Sequence, residues 1–338
     1  MTFRLATLLY AFALFSAALA VLGTWGGCLA TAGVLLLWAS FRSSDIVVGC
    51  GVFVLAWVLL VAGLLSPAVL VARGLAQANS CIGGLTHLAM SLLNYESLNG
   101  TLPPAVGSLG TSGDTQSWRV LVLPLLQRPT VYNAYNMNEP WNGPTNSKLS
   151  SDWIYACPTH GSEEFTSYLA VVGPQCAWNH GGPPRKLSDI TDDHSETITI
   201  IDVGRSDINW KEPRDLSFDE AVELLIAPVD PQTFTGHVDV RGVFLKPSYY
   251  YNVAMVDRSV HRLRVPLERS TAEALLTING GEKLDEQLFD KIGKGEIRYE
   301  LVYGWILFAV LAVIPAVPTW RWFRRSRLNT ESNDQVEH

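Results

Sequence analysis

The stretch Ser188–Glu196, SDITDDHSE, gathers Asp189, Asp192, Asp193 and Glu196. Clustered carboxylates are the oxygen-rich donor set that holds a hard cation such as calcium. The spacing is not that of an EF-hand. The same residues suit a solvated turn before a strand, with Asp189 or Thr191 capping it locally. The histidines are His87, His160, His180, His194, His237, His261 and His338, and no pair has HExxH or HxH spacing. His194 next to Ser195 invites a hydrolase reading, but no G-x-S-x-G elbow surrounds the serine. The chain therefore reads as a non-enzyme with no catalytic residue assigned, and calcium at the acidic cluster is the one cofactor considered. Aromatic residues recur at Trp118, Tyr132, Tyr135, Trp141, Trp153, Trp178 and Tyr249–Tyr251. Such residues can form binding hot spots. The simpler reading is core filling, with Trp141 of PWNGP fixing a loop.

The elements that would carry these residues are set by an uneven apolar distribution. The 338 residues are 48% hydrophobic and 17% charged, against about 25% charged in an ordinary soluble protein. No charge occurs from Leu5 to Phe41, from Ile46 to Ala72, or from Leu301 to Trp320. A crossing helix needs about 20 apolar residues. The first stretch exceeds one crossing and is broken by Gly23-Thr24-Trp25-Gly26-Gly27, which predicts a tight hairpin of spans over roughly 4–22 and 25–41. A cleaved signal peptide, with Arg4 as its basic end and Ala18-Leu19-Ala20 as its cleavage box, is the competing reading. A third span covers 46–72 and a fourth 301–320. Arg321, Arg324, Arg325 and Arg327 follow the last span and, with Arg4 and Arg42, place the tail 321–338 in the cytoplasm. Residues 73–300 are then extracytoplasmic. From residue 74 to 300 there are 18 Lys and Arg against 28 Asp and Glu, a net of −10. An acidic surface repels phosphate backbones, so nucleic acid is excluded as a partner. The lipid bilayer, other envelope proteins or a second copy are the expected partners.

After Ala72 the pattern becomes striped. Ile82, Leu85, Leu88, Ala89, Leu92 and Tyr95 recur at helical spacing, and Asn99-Gly100 with Pro103-Pro104 ends the run. Membrane helix and stem thus read as one rod, about 50 Å long from Leu64 to Leu98, whose striped face packs on a sheet downstream. Ser117–Gln127 reads as a short buried helix or an extended run. Thr166–Val172, Thr197–Val203, DVRGVFL, SYYYNVAMV and SVHRLRV read as strands. Ser217 with Glu220, and Ser270 with Glu273, are predicted capping boxes, and Asn279-Gly280-Gly281 is the predicted stop of the second helix. Cys28 and Cys50 fall in spans. Cys81, Cys157 and Cys176 fall in the region read as oxidising, and none has the CxxC spacing of a zinc site.

The segment LLSPAVLVARGLAQANSCIGGLTHLAMSLLNY, residues 64–95, resembles the pilin-like domain of unknown function fifteen fifty-nine. GTLPPA, SWRVLVLPLLQ, PWNGPTN, ACP, TSYLAVVGP, LSDITDDHSETITIIDVG, WKEPRDLSF and ALLTINGGE follow in the family's order, up to residue 282. The resemblance implies an α+β fold in which a long stem helix leaves the membrane and packs on an antiparallel sheet, as in pseudopilins and type IV pilins. It implies structural roles for Trp118, Trp141, Asn142, Pro158, Asp189, Trp210 and Asp257. Calcium loops in some pseudopilins add to the interest of the acidic cluster. Cys81 and Cys157 match family cysteines. Their pairing would tie stem to sheet and contribute about 4.5 kcal/mol by the chain-entropy estimate; two buried thiols are the other reading. The prepilin leader and its glutamate have no counterpart here. The family's Asp-Gly-Ser-Val stands here as Asp257-Arg258-Ser259-Val260, which requires another turn type or local strain. The expected role is structural or interactive in the cell envelope, with ligand sensing and envelope hydrolysis as the second and third readings.

Overall fold

The structure is a computed structural model and describes residues 5–40, 45–107, 116–151, 153–159, 162–239, 245–284, 287–290 and 297–313. Arg4, Arg42, His160, part of DVRGVFL, the end of the last predicted span and the tail lie outside them. The chain mixes helix and sheet. Its elements are α1 (Leu5–Ser40), α2 (Ile46–Asn99), β1 (Val106–Gly107), β2 (Gln116–Ser117), α3 (Trp118–Val122), α4 (Pro129–Ala134), β3 (Tyr168–Val172), β4 (Ile198–Asp202) and β5 (Leu216–Ser217). There follow α5 (Phe218–Ile226), β6 (His237–Asp239), β7 (Ser248–Met255), β8 (Val260–Arg264), α6 (Arg269–Leu276), α7 (Gln287–Asp290) and α8 (Tyr299–Val313). Two compact units share α2, one holding its residues up to Arg73 with α1 and α8, the other beginning at Gly74.

In the first unit, α1 breaks at Gly23, whose φ of 72° is open to glycine. A Cβ on Gly27 would lie 2.8 Å from the backbone of Leu19. Eight residues along a straight helix are about 12 Å apart, so the second half of α1 folds back on the first. Trp25, at that turn, is 82% exposed. The second half then meets α2 backbone to backbone: a Cβ on Gly63 would lie 2.6 Å from Ala30 N and 2.8 Å from Gly26 O. Small residues permit such an approach where lipid supplies no hydrophobic drive. Pro67 sits inside α2 without a break in the helix. It cannot donate to the carbonyl four residues back, and the Ser66 hydroxyl donates to that Gly63 carbonyl at 2.9 Å instead. Among the described residues two helices, Leu9–Ser40 and Ile46–Asn99, are long and apolar enough to cross a membrane, and α8 is a shorter apolar helix of 15 residues.

The second unit is layered. In the sheet β5 pairs β3, β3 pairs β4, and β4 pairs β7. Tyr250 of β7 faces His237 of β6 and Arg264 of β8, and Ala254 faces Ile200 of β4 and Val260 of β8. A strand has two edges, so β4 and β6 lie end to end along one edge of β7 and β8 takes the other. One face of β3, Tyr168, Ala170 and Val172, joins a core with Leu85, Leu88, Ala89 and Leu92 of α2. The other face, Leu169 and Val171, joins Ala221, Val222 and Leu225 of α5 and Ala272, Leu275 and Leu276 of α6. Both faces are covered, which is why the strand reads YLAVV without polar alternation. A register shift between Ile198 and Ile200 explains why Ile198 and Ile201 share the second core despite their odd spacing.

Several expectations are corrected. The sheet is mixed, because β5 runs parallel to β3 over Val171–Leu216 and Val172–Ser217; Asp215, just before β5, is held by the Ala170 N–H at 2.8 Å and seats the strand in that sense. Ser217 and Glu220 form their reciprocal capping box on α5. Ser270 caps nothing: α6 begins at Arg269 after Glu268 as N-cap, so Ser270 is already inside the helix, which ends at Leu276 ahead of Asn279. Ser117–Gln127 resolves into α3 and a 3-10 turn over Leu123–Leu126, with Pro124 in its first turn, where a missing N–H costs nothing. The β7–β8 turn places Arg258 at φ 75°, the left-handed region disfavoured for a residue with a Cβ.

Two glycines of α2 carry opposite expectations. Gly63→Ala drives a Cβ into the backbone at Ala30 and should destabilise the detergent-solubilised chain by about 1–3 kcal/mol. At Gly74 a Cβ meets no atom within 4 Å, and Gly74→Ala should stabilise by up to about 1 kcal/mol through helix propensity. Thermal unfolding of the two variants beside the parent checks both signs.

Candidate functional site

The sheet unit buries four chemically capable side chains at one point. Cys81 precedes Leu85 by one helical turn and shares its inward stripe, so α2 delivers the thiol to the sheet. Asp202 follows Ile200 by two residues on β4 and so projects to the same face as Ile200, toward α2. Cys157 comes from the connection before β3, and its N–H donates to Ser167 Oγ at 2.8 Å. His237 opens β6, pairs in register with Tyr250 and stacks on its ring at 5.4 Å between centroids. Cys81 and Cys157 form a disulfide across 76 positions of sequence. His237 Nε2 lies 2.7 Å from Asp202 Oδ2 and 3.9 Å from Cys157 Sγ. Asn252 Nδ2 donates to Asp202 Oδ2 at 3.0 Å and the Gly204 N–H to Oδ1 at 3.1 Å. All four residues are at most 2% exposed. The ligand-type atoms of Cys81, Cys157, Asp202 and His237 lie within 4.8 Å of one another.

A second buried polar centre is structural. The wholly buried Arg119 pairs with Asp215 and donates to the Tyr168 carbonyl from Nε at 3.1 Å and Nη2 at 2.9 Å. Asp215 also accepts from Trp118 Nε1 at 3.1 Å. The Tyr155 hydroxyl donates to the Arg119 carbonyl, and its ring stacks on Trp210. Burial pushes the Asp215 carboxyl above its ordinary range, against the opposing pull of Arg119 and the N–H donors. Trp118 and Trp210 are thus packed, bonded residues of this centre, and Trp118 also packs on Trp178.

The carboxylates of the acidic stretch bond to separate partners. Asp189 accepts from the Lys186 N–H at 2.9 Å, Asp192 from the N–H groups of Gly280 and Gly281 at 2.8 and 2.9 Å, and Asp193 from Ser195. Asp192, Asp193 and Glu196 line a cleft of about 410 Å³ together with Glu282 and Lys283. The Ser195 hydroxyl donates to Asp193, and the His194 ring addresses the Ile190 carbonyl, so these two neighbours bond elsewhere. The turn at Asp257 assembles Asp257, Ser259 and His261, but the Ser259 hydroxyl donates directly to Asp257 at 2.6 Å, with His261 Nε2 3.0 Å from it on the other side. That order points the serine O–H at the carboxylate instead of at a histidine base. Trp141 is half-buried, and Asn142 and Pro158 are exposed. In the same loop Asn146 is wholly buried and donates to the carbonyls of Asn136, Glu139 and Pro140.

In the sequence His237 stands only among the histidines without motif spacing, and Asp202 and Asn252 carry no assigned role. The available signal was an acid ending the apolar run TITIID, since a buried carboxylate demands partners.

Asp215→Asn leaves the Arg119 guanidinium buried without its counter-charge and should cost about 3–5 kcal/mol, whereas Arg119→Met with Asp215→Leu should recover much of that loss; denaturant titration separates the two. Burial pushes the Cys176 thiol up to about 12, so in the folded chain it should resist alkylation at pH 8 and react once unfolded, as read by mass spectrometry.

No curated protein and no solved structure matches the chain. One family model does, over residues 71–199, from the stem part of α2 into β4; the match stops short of Asp202 and His237. The model that matches residues 71–199 is described as "Protein of unknown function (DUF1559)", the family that the ordered motifs resemble.

Proposed function

We propose that this is a multi-pass membrane protein that presents a pilin-like domain on the extracytoplasmic side of the cell envelope, where it has a structural or interaction role without catalysis. One observation carries the reading: α2 is a single helix whose first half exposes Val47, Val54, Leu55, Val58, Leu65 and Leu70, while its second half buries Leu85, Leu88 and Leu92. Apolar residues facing outward suit lipid, and the same helix then serves as the spine of a folded unit. The arginines after residue 320 support a cytoplasmic tail. The local engagement of Ser195, and the Asp–Ser–His order at the β7–β8 turn, support a role without hydrolysis. Calcium has no support beyond the acidic cluster itself.

Reporter fusions in a bacterial host test the topology. Alkaline phosphatase joined within residues 100–280 should be active, a fluorescent protein after His338 should fluoresce, and alkaline carbonate should not extract the chain. Inactive phosphatase or extraction by carbonate would sink the reading. Turnover of an esterase, protease or glycosidase panel that disappears in Ser195→Ala would refute the non-catalytic part. A second reading, ligand sensing, rests on the cleft lined by Asp192, Glu196 and Lys283. Saturable thermal shifts of the full chain with divalent cations or glycans, lost in Asp192→Asn, would favour it.

A further inference from the structure

The centre formed by Cys81, Cys157, Asp202 and His237 has two chemical states open to it, and only one is a disulfide. Two sulfurs, an imidazole nitrogen and a carboxylate oxygen make a complete donor set for a closed, four-coordinate zinc site. The sulfurs select against calcium and magnesium, which take oxygen ligands. The donors come from four separate parts of the unit, α2, the connection before β3, β4 and β6, yet their ligand atoms already lie within 4.8 Å of one another. Supporting bonds are present as well. Asn252 and Gly204 hold the Asp202 carboxylate, and Thr159 Oγ1 lies 3.3 Å from Cys81 Sγ, where a hydroxyl can donate to a thiolate. Such outer partners orient metal ligands. An apolar core would serve a disulfide equally well. Asp202 and His237 pair with each other at 2.7 Å in the disulfide state, and the same imidazole nitrogen lies 3.9 Å from Cys157 Sγ.

We propose that, when the Cys81–Cys157 bond is reduced, these four side chains bind one zinc ion, so that the stem helix stays cross-linked to the sheet in both redox states. In the reductive step a dithiol reductant passes two electrons and two protons to the disulfide. The S–S bond breaks to give two thiols, while the reductant's own sulfurs close into a disulfide. Zinc binding then releases the two thiol protons to solvent and forms two Zn–S bonds. Asp202 coordinates as the carboxylate, and His237 through Nε2 with its proton on Nδ1. The inference does not depend on membrane topology.

The test uses the full chain in detergent, with Cys28, Cys50 and Cys176 replaced by Ala to remove the other thiols, reduced by a phosphine without oxygen and titrated with Co²⁺. The expected result is equimolar cobalt uptake with thiolate-to-cobalt charge-transfer absorption and the ligand-field bands of a tetrahedral ion, both abolished by added Zn²⁺. The disulfide form of the same protein should give no such absorption. His237→Gln and Asp202→Asn should each weaken cobalt binding at least tenfold; formation of the Cys81–Cys157 bond on reoxidation, read by mass spectrometry, reports that each variant is folded. If a variant fails that check, the spectrum of the unaltered centre decides alone. No uptake by the reduced chain, an octahedral spectrum without thiolate bands, or affinity unchanged in folded His237→Gln would overturn the proposal.

Discussion

Burial of β3 and β4 on both faces is the constraint from which the rest of the sheet unit follows. With α2 on one side and α5 and α6 on the other, no polar group in the layer can turn to water, so each needs a partner supplied by another element. Arg119 and Asp215 meet this demand at one end of β3: the guanidinium reaches the Tyr168 carbonyl, and the carboxylate takes the Ala170 N–H and thereby seats β5. Asp202, His237 and Asn252 meet it where β4, β6 and β7 come together. Each set is a network in which removal of one member strands another, so specificity of the fold and cost of error sit in the same few residues.

The helical unit solves a different problem. Its outward surface is apolar, so burial of apolar area cannot by itself say which helix face meets which. Backbone proximity can. Gly26, Ala30 and Gly63 let two helices approach until main-chain atoms touch, and Ser66 takes up the carbonyl that Pro67 leaves open. α2 therefore packs by small residues in its first half and by large ones in its second, a change of packing rule within one uninterrupted helix.

The cluster that stands out in the sequence and the one that converges in space are made of different residues. The acidic stretch is conspicuous because its carboxylates are close in sequence, yet three of them are occupied by separate backbone donors. The centre with four convergent donors is inconspicuous because its members are spread from Cys81 to His237 and sit inside apolar runs. Nearness in sequence marks a turn more often than a site, since a turn is built from neighbours and a site from elements that the fold brings together.

Local physics made much of the architecture legible in the sequence. Unbroken apolar runs, the stripe from Leu85 to Leu92, the Ser217–Glu220 box and the break at Gly23 each depend on residues a few positions apart, and each has its counterpart in the structure. At Ser270 the sequence put the helix start two residues late, because the structure begins α6 after Glu268. The third layer of α5 and α6, the parallel sense of β5, the buried bonds of Asn146, and the meeting of Cys81 and Cys157 with Asp202 and His237 belong to tertiary structure. They are set by which faces remain uncovered and which buried polar groups remain unpaired once the elements pack, and no window of neighbouring residues contains that information.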